Sequence, residues 1–310
     1  MHPSKSPARV VVFSLLIAAG LLSAWVLGST AYGRQMNQYA SDWFFRLRGE
    51  DREGTGEVVI VAIDDQTLAR FGNLPLDRRL FAVAIARICS GRPSVIGVDI
   101  LFPEASNPES DGALAAALET CPQRVILATN LTDVGRRPGE QPAGWMDPLP
   151  ELAAPAASIA HVHADPDLDG VSRQILLAKS ASGRRRWALA VEALRIRVGH
   201  DGPVLEDRRS LVIGSHIIPA ALESERTMLI NYAGGEGMFA RYSLRAVVMG
   251  EVPPETFTGR VVLLGLTAQG LPDRLFTPFS ASGRGMPGVE IHANLLRTLM
   301  TGRFLQPLRE

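Results

Sequence analysis

Ten residues, His161 to Gly170, read HVHADPDLDG and put two imidazoles and three carboxylates side by side. Three chemistries compete for such a stretch. Asp165, Asp167, Asp169 and Gly170 follow the first half of a calcium loop, D-x-D-x-D-G. The second half fails, because the twelfth position, where a bidentate glutamate belongs, is Leu176. His161 and His163 lie two apart, so on a strand they share one face, as a pair of transition-metal ligands requires. Further ligands would have to come from the aspartates or from distant His292, so these two are weak candidates. The third reading is an aspartate-rich turn between two strands. Its carboxylates bond backbone amides, Gly170 supplies a positive φ, and Arg173 pairs with Asp167 or Asp169. The turn accounts for most of these residues, and we adopt it.

A second set of acceptors falls at strand ends. EVVIVAIDD, residues 57 to 65, is a β-branched run ending in Asp64 and Asp65, and PSVIGVDILF carries Asp99 towards its end. QRVILATN ends at Asn130, and GRVVLLGLTA places Thr267 at its tip. In an open parallel sheet, ligands gather where the carboxyl ends of strands meet loops. Such a rim is a candidate pocket, although Asp and Asn also cap helices at these places.

The elements that must hold these residues alternate. A helix follows the first strand, with Asp77 as N-cap, Leu80, Phe81, Ala84, Ile85 and Ile88 on one face, and Gly91 as its stop. SDGALAAALETCP is a second helix. Strand, helix, strand, helix, strand predicts parallel pairing. Residues 131 to 157, rich in Pro, Gly and Ala, read as a loop or lid. Beyond them SRQILLAKS reads as a strand and WALAVEALRIRVG as a helix. SLVIGSHIIPA and TMLINYAG read as further strands, SLRAVVMGEVP as a short helix, and PGVEIHANLLRTLMTGRF as a closing amphipathic helix. The expected fold class is α/β: a mainly parallel sheet with flanking helices, an antiparallel hairpin insertion, and one transmembrane helix before it.

That last expectation comes from composition. The 310 residues carry no net formal charge, which argues against a nucleic-acid partner. Residues 10 to 27 form an uncharged apolar run of spanning length, preceded by Lys5 and Arg9. The positive-inside rule then keeps residues 1–9 in the cytoplasm as a tail, makes 10–28 an anchor in the cell membrane, and exports the rest. A cleaved signal sequence is the alternative, with small residues at Ser29, Thr30 and Ala31. Residues 29–49 continue as a membrane-proximal helix, leaving 50–310 as the exported domain. Cys89 and Cys121 are too few for a disulfide framework; an exported location permits a bridge, but the plainer reading is two small core residues.

Six ordered blocks are similar to one family: VVIVAIDDQTLARFGNLPLDR, VIGVDILFPEASNPESDGALAAAL, DPDLDGVSR, INYAG, GRVVLLGLTAQGLPDRLFTPFS and MPGVEIHANLLRTLMTGRFLQPL. Together they resemble the type-two CHASE sensor domain, the extracytoplasmic module of bacterial adenylate cyclases, histidine kinases, diguanylate cyclases and serine/threonine kinases. The resemblance covers nearly all of residues 40 to 307. It implies an α/β sensor that is not itself an enzyme and needs no cofactor. Its signature polar residues fall here at Asp64, Asp65, Asp99, Glu104, Asp111, Asp169, Gly170, Arg173, Asp273, Thr277, Pro278, Gly288, Glu290 and His292. Among these, Asp64, Asp65, Asp99, Asp169, Arg173, Asp273, Thr277, Glu290 and His292 are the candidates for binding a small polar or charged ligand, or for registering an envelope stimulus. NLPLDR lacks the tryptophans that family members more often carry there. Family members also usually continue into more membrane helices and a cytoplasmic output domain, so the expectation is a truncated product, a fragment, or signalling through a partner. Two rival functions are a metal-assisted hydrolase built on the Asp and His residues, and an assembly module in which Tyr32–Arg48 and the last helix form a homodimer.

Overall fold

In the computed structural model, residues 11–20, 30–132, 144–222, 225–271, 273–280 and 283–305 are described. The chain divides into Met1–Gly49 and Glu50–Glu310. In the first unit residues 11–20 are helical (α1), and the expected span 10–28 otherwise lies outside the described residues. Among the described residues no helix is long and apolar enough to cross a membrane. Helix α2 (Ala31–Arg48) begins where Thr30 Oγ1 accepts the Gly33 N–H at 3.1 Å and ends at Gly49, φ 75°. Its periodic residues Met36, Tyr39, Trp43, Phe44 and Leu47 are all exposed.

The second unit is built on a parallel sheet. In chain order its first half runs β1 (Val58–Ile63), α3 (Asp65–Phe71), α4 (Arg78–Ser90), β2 (Val95–Asp99), α5 (Pro108–Glu119), β3 (Val125–Thr129), α6 (Pro150–Ala153) and β4 (Ser158–His161). Short pieces follow: β5 (Gln174–Leu176), β6 (Ala178–Ala181), β7 (Arg184–Trp187), α7 (Leu189–Arg197), β8 (Leu205–Glu206), β9 (Ser210–Ile213), β10 (His216–Pro219) and β11 (Thr227–Leu229). The chain then returns to the sheet with β12 (Ala240–Ser243), α8 (Leu244–Met249) and β13 (Val261–Leu266). It closes with β14 (Arg274–Leu275), β15 (Met286–Pro287) and α9 (Gly288–Thr301).

The sheet order is β12-β1-β13-β2-β3-β4, all pairs parallel. Sequence order suggested that β1 and β2 are neighbours; β13, from the far end of the chain, lies between them. Every residue of β1 is buried, as a strand covered on both faces must be. One face packs Val59, Val61, Ile63, Ile96, Val98, Val125, Leu127, Val262 and Leu264 into a core with α4, α5 and α8. The other lies against α7 and α9. Two strand glycines let those helices in: a Cβ on Gly97 would lie 2.8 Å from Leu263 and 3.2 Å from Leu189, and one on Gly265 2.7 Å from Val289.

The expected hairpin insertion takes the form of several small antiparallel pieces: β10-β9-β8, β6-β7, β11-β5 and β14-β15. SLVIGSHIIPA is two strands rather than one, because Gly214 turns the chain at φ 58°. The short α3 and the edge strand β12 had no periodic signal long enough to announce them. Of the expected loop at 131–157, residues 133–143 lie outside the described ones; Leu131 bridges to Trp145 and α6 follows. Cys89 and Cys121 are bonded, with Cα atoms 5.8 Å apart. The preference for two separate core thiols is thus corrected, although Cys121 is buried as expected.

Candidate functional site

Beyond the carboxyl ends of the parallel strands lies a cavity of about 970 Å3. Ile63, Asp99 and Leu266 bring β1, β2 and β13 to it, Asn130 follows β3, and Val162 and His163 follow β4. Leu76, Phe81 and Phe102 form part of an apolar wall, with the two phenyl rings edge to face at 5.5 Å. Asp99, Asp273 and His292 supply its polar end.

Asp99 is the last residue of β2, set across from Gly265 of β13. Asp273 precedes β14, and its position depends on a glycine. The Gly288 N–H donates to the Asp273 carbonyl at 3.1 Å, and a Cβ on Gly288 would sit 2.5 Å from Asp273 Oδ1. Only a residue without a side chain lets that carboxylate close over the start of α9. His292 follows on α9, 1% exposed, with Nε2 3.3 Å from the Val162 carbonyl.

These groups are short of partners. Neither carboxylate accepts a hydrogen bond from any described residue. His292 Nδ1 is buried and also has no partner among the described residues. Electrostatics follow from that. Burial pushes Asp99 up to about 7. Burial, and then the charge of Asp99, do the same to Asp273. Burial lowers His292 to about 4, although Asp273 pulls the other way. Two acids able to hold a proton near neutrality, beside an imidazole held neutral, form a proton-sensitive acceptor cluster.

The opening decapeptide is a turn. Gly170 has φ 81°, its N–H donates to the Asp167 carbonyl, and the Val171 N–H reaches Asp169 Oδ1 at 3.2 Å. Arg173, 6% exposed, bonds Asp167 at 3.0 Å and grips both Asp169 oxygens at 2.9 and 2.8 Å. That guanidinium holds Asp169 below the usual carboxylate range. Leu176 lies on β5, so no calcium loop is completed. His161 is wholly buried, its ring 6.0 Å from that of His163, and among the described residues neither of its nitrogens has a hydrogen-bond partner. His163 Nε2 accepts the Leu131 N–H at 3.0 Å. Among the described residues no three of His, Cys, Asp and Glu come together as a metal site.

The remaining sequence candidates hold loops and do not line the cavity. Asp64 caps α3, accepting from the Thr67 N–H at 2.9 Å and from the Ser243 hydroxyl at 2.8 Å. Asp65 takes the Gln269 N–H at 3.2 Å. Thr277 accepts the Phe279 N–H within a buried turn. Glu290, fully buried, receives the N–H groups of Gly237 and Met238 at 2.7 and 3.2 Å, and the Arg241 guanidinium at 2.5 Å.

One cavity residue escaped the sequence reading. Arg78, 8% exposed, pairs with Asp111 at 2.8 Å, bonds the Glu104 carbonyl, and stacks 5.3 Å from the Phe102 ring centre. Asp111 in turn accepts the Ser106 N–H at 2.9 Å, so this pair braces the loop over the cavity. An arginine one place after a helix cap looks like a surface residue, and nothing in its spacing marks it otherwise.

The sequence profile of the CHASE2 domain matches residues 13–310. A 4-hydroxy-tetrahydrodipicolinate reductase of Agrobacterium fabrum (strain C58) is 32% identical over 100 residues, which are 30% of this chain and 36% of that enzyme. The chain thus spans about a third of that relative's length. No solved structure matches. Since the profile runs over nearly the whole chain, the protein belongs to the CHASE2 family, the extracytoplasmic sensory domains of signalling proteins.

Proposed function

We propose that residues 50–310 sense a small ligand in the cavity at the strand ends. Residues 10–28 anchor the domain in the cell membrane, and the signal passes to an output of the cyclase or kinase class. One observation carries the reading: a partly buried pair of carboxylates, with no donor among the described residues, opens on a cavity large enough for a metabolite. Unsatisfied polar groups cost stability, so such a cluster is kept where binding needs it. The bonded cysteines fit an oxidising, exported compartment. Ligand binding then favours one of two arrangements of the loops around the cavity, and the membrane-proximal segment reads out the difference.

The short likeness to a reductase leads elsewhere only weakly. A dinucleotide-binding turn after the first strand needs glycines for close approach to a pyrophosphate. Here that turn carries Asp64 and Asp65, which repel it.

The test is a thermal-shift screen of the full chain against a panel of metabolites, repeated on Phe102→Ala and Asp99→Asn. The reading expects saturable shifts in the unaltered protein that weaken in both variants. Shifts that survive both substitutions unchanged would place binding elsewhere. An alkaline phosphatase fusion after Glu310 tests the topology: it should be active, and an inactive fusion with a fluorescent cytosolic counterpart would overturn export.

A further inference from the structure

We propose that the cavity takes a small organic cation, a primary amine on a hydrocarbon body, with its ammonium group between Asp99 and Asp273. The inference rests on the sensory reading above and names the ligand class.

The polar end of the cavity consists of acceptors in need of donors. Asp99 and Asp273 come from separate elements, β2 and the approach to β14, and neither receives a hydrogen bond from a described residue. His292 is 1% exposed and lines the same end; its Nε2 faces the Val162 carbonyl, which leaves Nδ1 as a buried acceptor without a donor. An ammonium carries three N–H donors and no acceptor, which suits the two carboxylates, each able to accept more than one. A hydroxyl brings one donor and leaves acceptors unsatisfied. A carboxylate or phosphate brings negative charge to two acids. A bare metal ion finds no third ligand, since no such trio converges among the described residues.

Charge over the whole lining points the same way. Among the described residues, Asp77, Asp99, Glu104 and Asp273 line the cavity with one cation, Arg78; Asp111 neutralises that guanidinium and Arg79 pairs with Asp77, which leaves Asp99, Glu104 and Asp273. The rest of the lining selects the body of the ligand. Leu76, Phe81, Phe102 and Leu275 offer hydrocarbon and aromatic faces, against which an alkyl or aryl chain is buried. Burial, joined at Asp273 by the charge of Asp99, raises both acids, and a bound cation supplies the charge that lets both ionise.

The test uses the full chain in non-ionic detergent. Thermal shift and calorimetry follow 2-phenylethylamine, butylamine and spermidine. Two matched controls, 2-phenylethanol and phenylacetate, keep the body and change the head. At least one amine should bind saturably. The aryl amine should bind at least ten-fold more tightly than its alcohol, with no binding of the acid. Asp99→Asn and Asp273→Asn should each weaken the amine ten-fold or more while circular dichroism stays unchanged; using both keeps the test valid if one variant fails to accumulate. The cation assignment is overturned if no amine binds, if the alcohol or acid binds as well, or if the amine preference survives both substitutions. The two readings separate on Phe102→Ala. Loss of alcohol or acid binding there keeps the cavity as the sensor's site and rejects only the cation, whereas metabolite binding indifferent to every cavity substitution rejects both.

Discussion

Replacing Asp99 by Asn should make the protein more stable at alkaline pH and leave it unchanged in acid. The Asp99 carboxyl is pushed from 3.8 to about 7 because folding takes it largely out of water and no described residue donates to it. Its stabilising proton is fully held below pH 3.8, where folded and unfolded chains are both protonated. That contribution is lost as pH rises through about 7, because the unfolded chain ionises first. Each unit of displacement corresponds to about 1.4 kcal/mol, so the whole span sets an upper limit of roughly 4 kcal/mol. Asp273 shares the strain and relaxes when its neighbour becomes neutral, and a net gain of about 2–4 kcal/mol at pH 8 follows. For a domain of this size that is a rise of roughly 4–8 °C in Tm. Burial displaces His161 and His292 the opposite way, but they do so in both proteins and cancel in the difference. Differential scanning fluorimetry from pH 4 to 8 reads the effect directly. A difference that stays flat with pH, or a variant less stable than the parent at pH 8, would refute the reasoning.

Four further outcomes follow from the same structure. Cys89→Ser should lower stability by about 3–4 kcal/mol, from the closure entropy of a loop whose two cysteines lie 32 positions apart, read as a fall in the urea midpoint; two free thiols in the unreduced protein would contradict it. Arg297→Leu should cost about 3–5 kcal/mol. That guanidinium is wholly buried and binds the Glu53 and Asn231 carbonyls and Asp51, so a neutral side chain strands all three; an unchanged urea midpoint would contradict the staple. Gly265→Ala should cost about 1–3 kcal/mol by forcing α9 off the sheet, and Val289→Ala should return part of the loss when combined with it. Asp169→Ala should expose the 165–170 turn to limited proteolysis, since Arg173 loses its bidentate partner; unchanged cleavage would show that Asp167 alone holds the turn.

Much of the fold was legible because its signals are local. The apolar, mostly β-branched run at Val58–Ile63 reads as a strand covered on both sides, and Asp77 with Gly91 brackets α4 by cap chemistry. Strand order was not legible: nothing in GRVVLLGLTA says that it slides between β1 and β2, because that choice is made by packing across some 160 residues of intervening chain. The site divides in the same way. Asp99 announced itself as an acceptor at a strand end, and the resemblance supplied Asp273 and His292. Asp64, Asp65 and Glu290 looked equally functional, yet backbone amides and neighbouring side chains satisfy them. A carboxylate with donors and one without are the same letter in a sequence. The partners that separate them arrive from elements far away, as Ser243 reaches Asp64 and Gly237 reaches Glu290. Arg78 stayed hidden for the converse reason, its acid lying 33 residues on.

The central claim is that two adjacent carboxylates await donors that the protein does not supply. Carbon-13 NMR of the aspartate carboxyl groups, titrated from pH 4 to 9 with and without 2-phenylethylamine, measures it most directly. Two resonances, absent in Asp99→Asn and Asp273→Asn respectively, should titrate near pH 7 in the free protein and move to lower pH when the amine is present. If both titrate near 4 in the free protein, or ignore the amine, the cavity already contains its donors and the account fails.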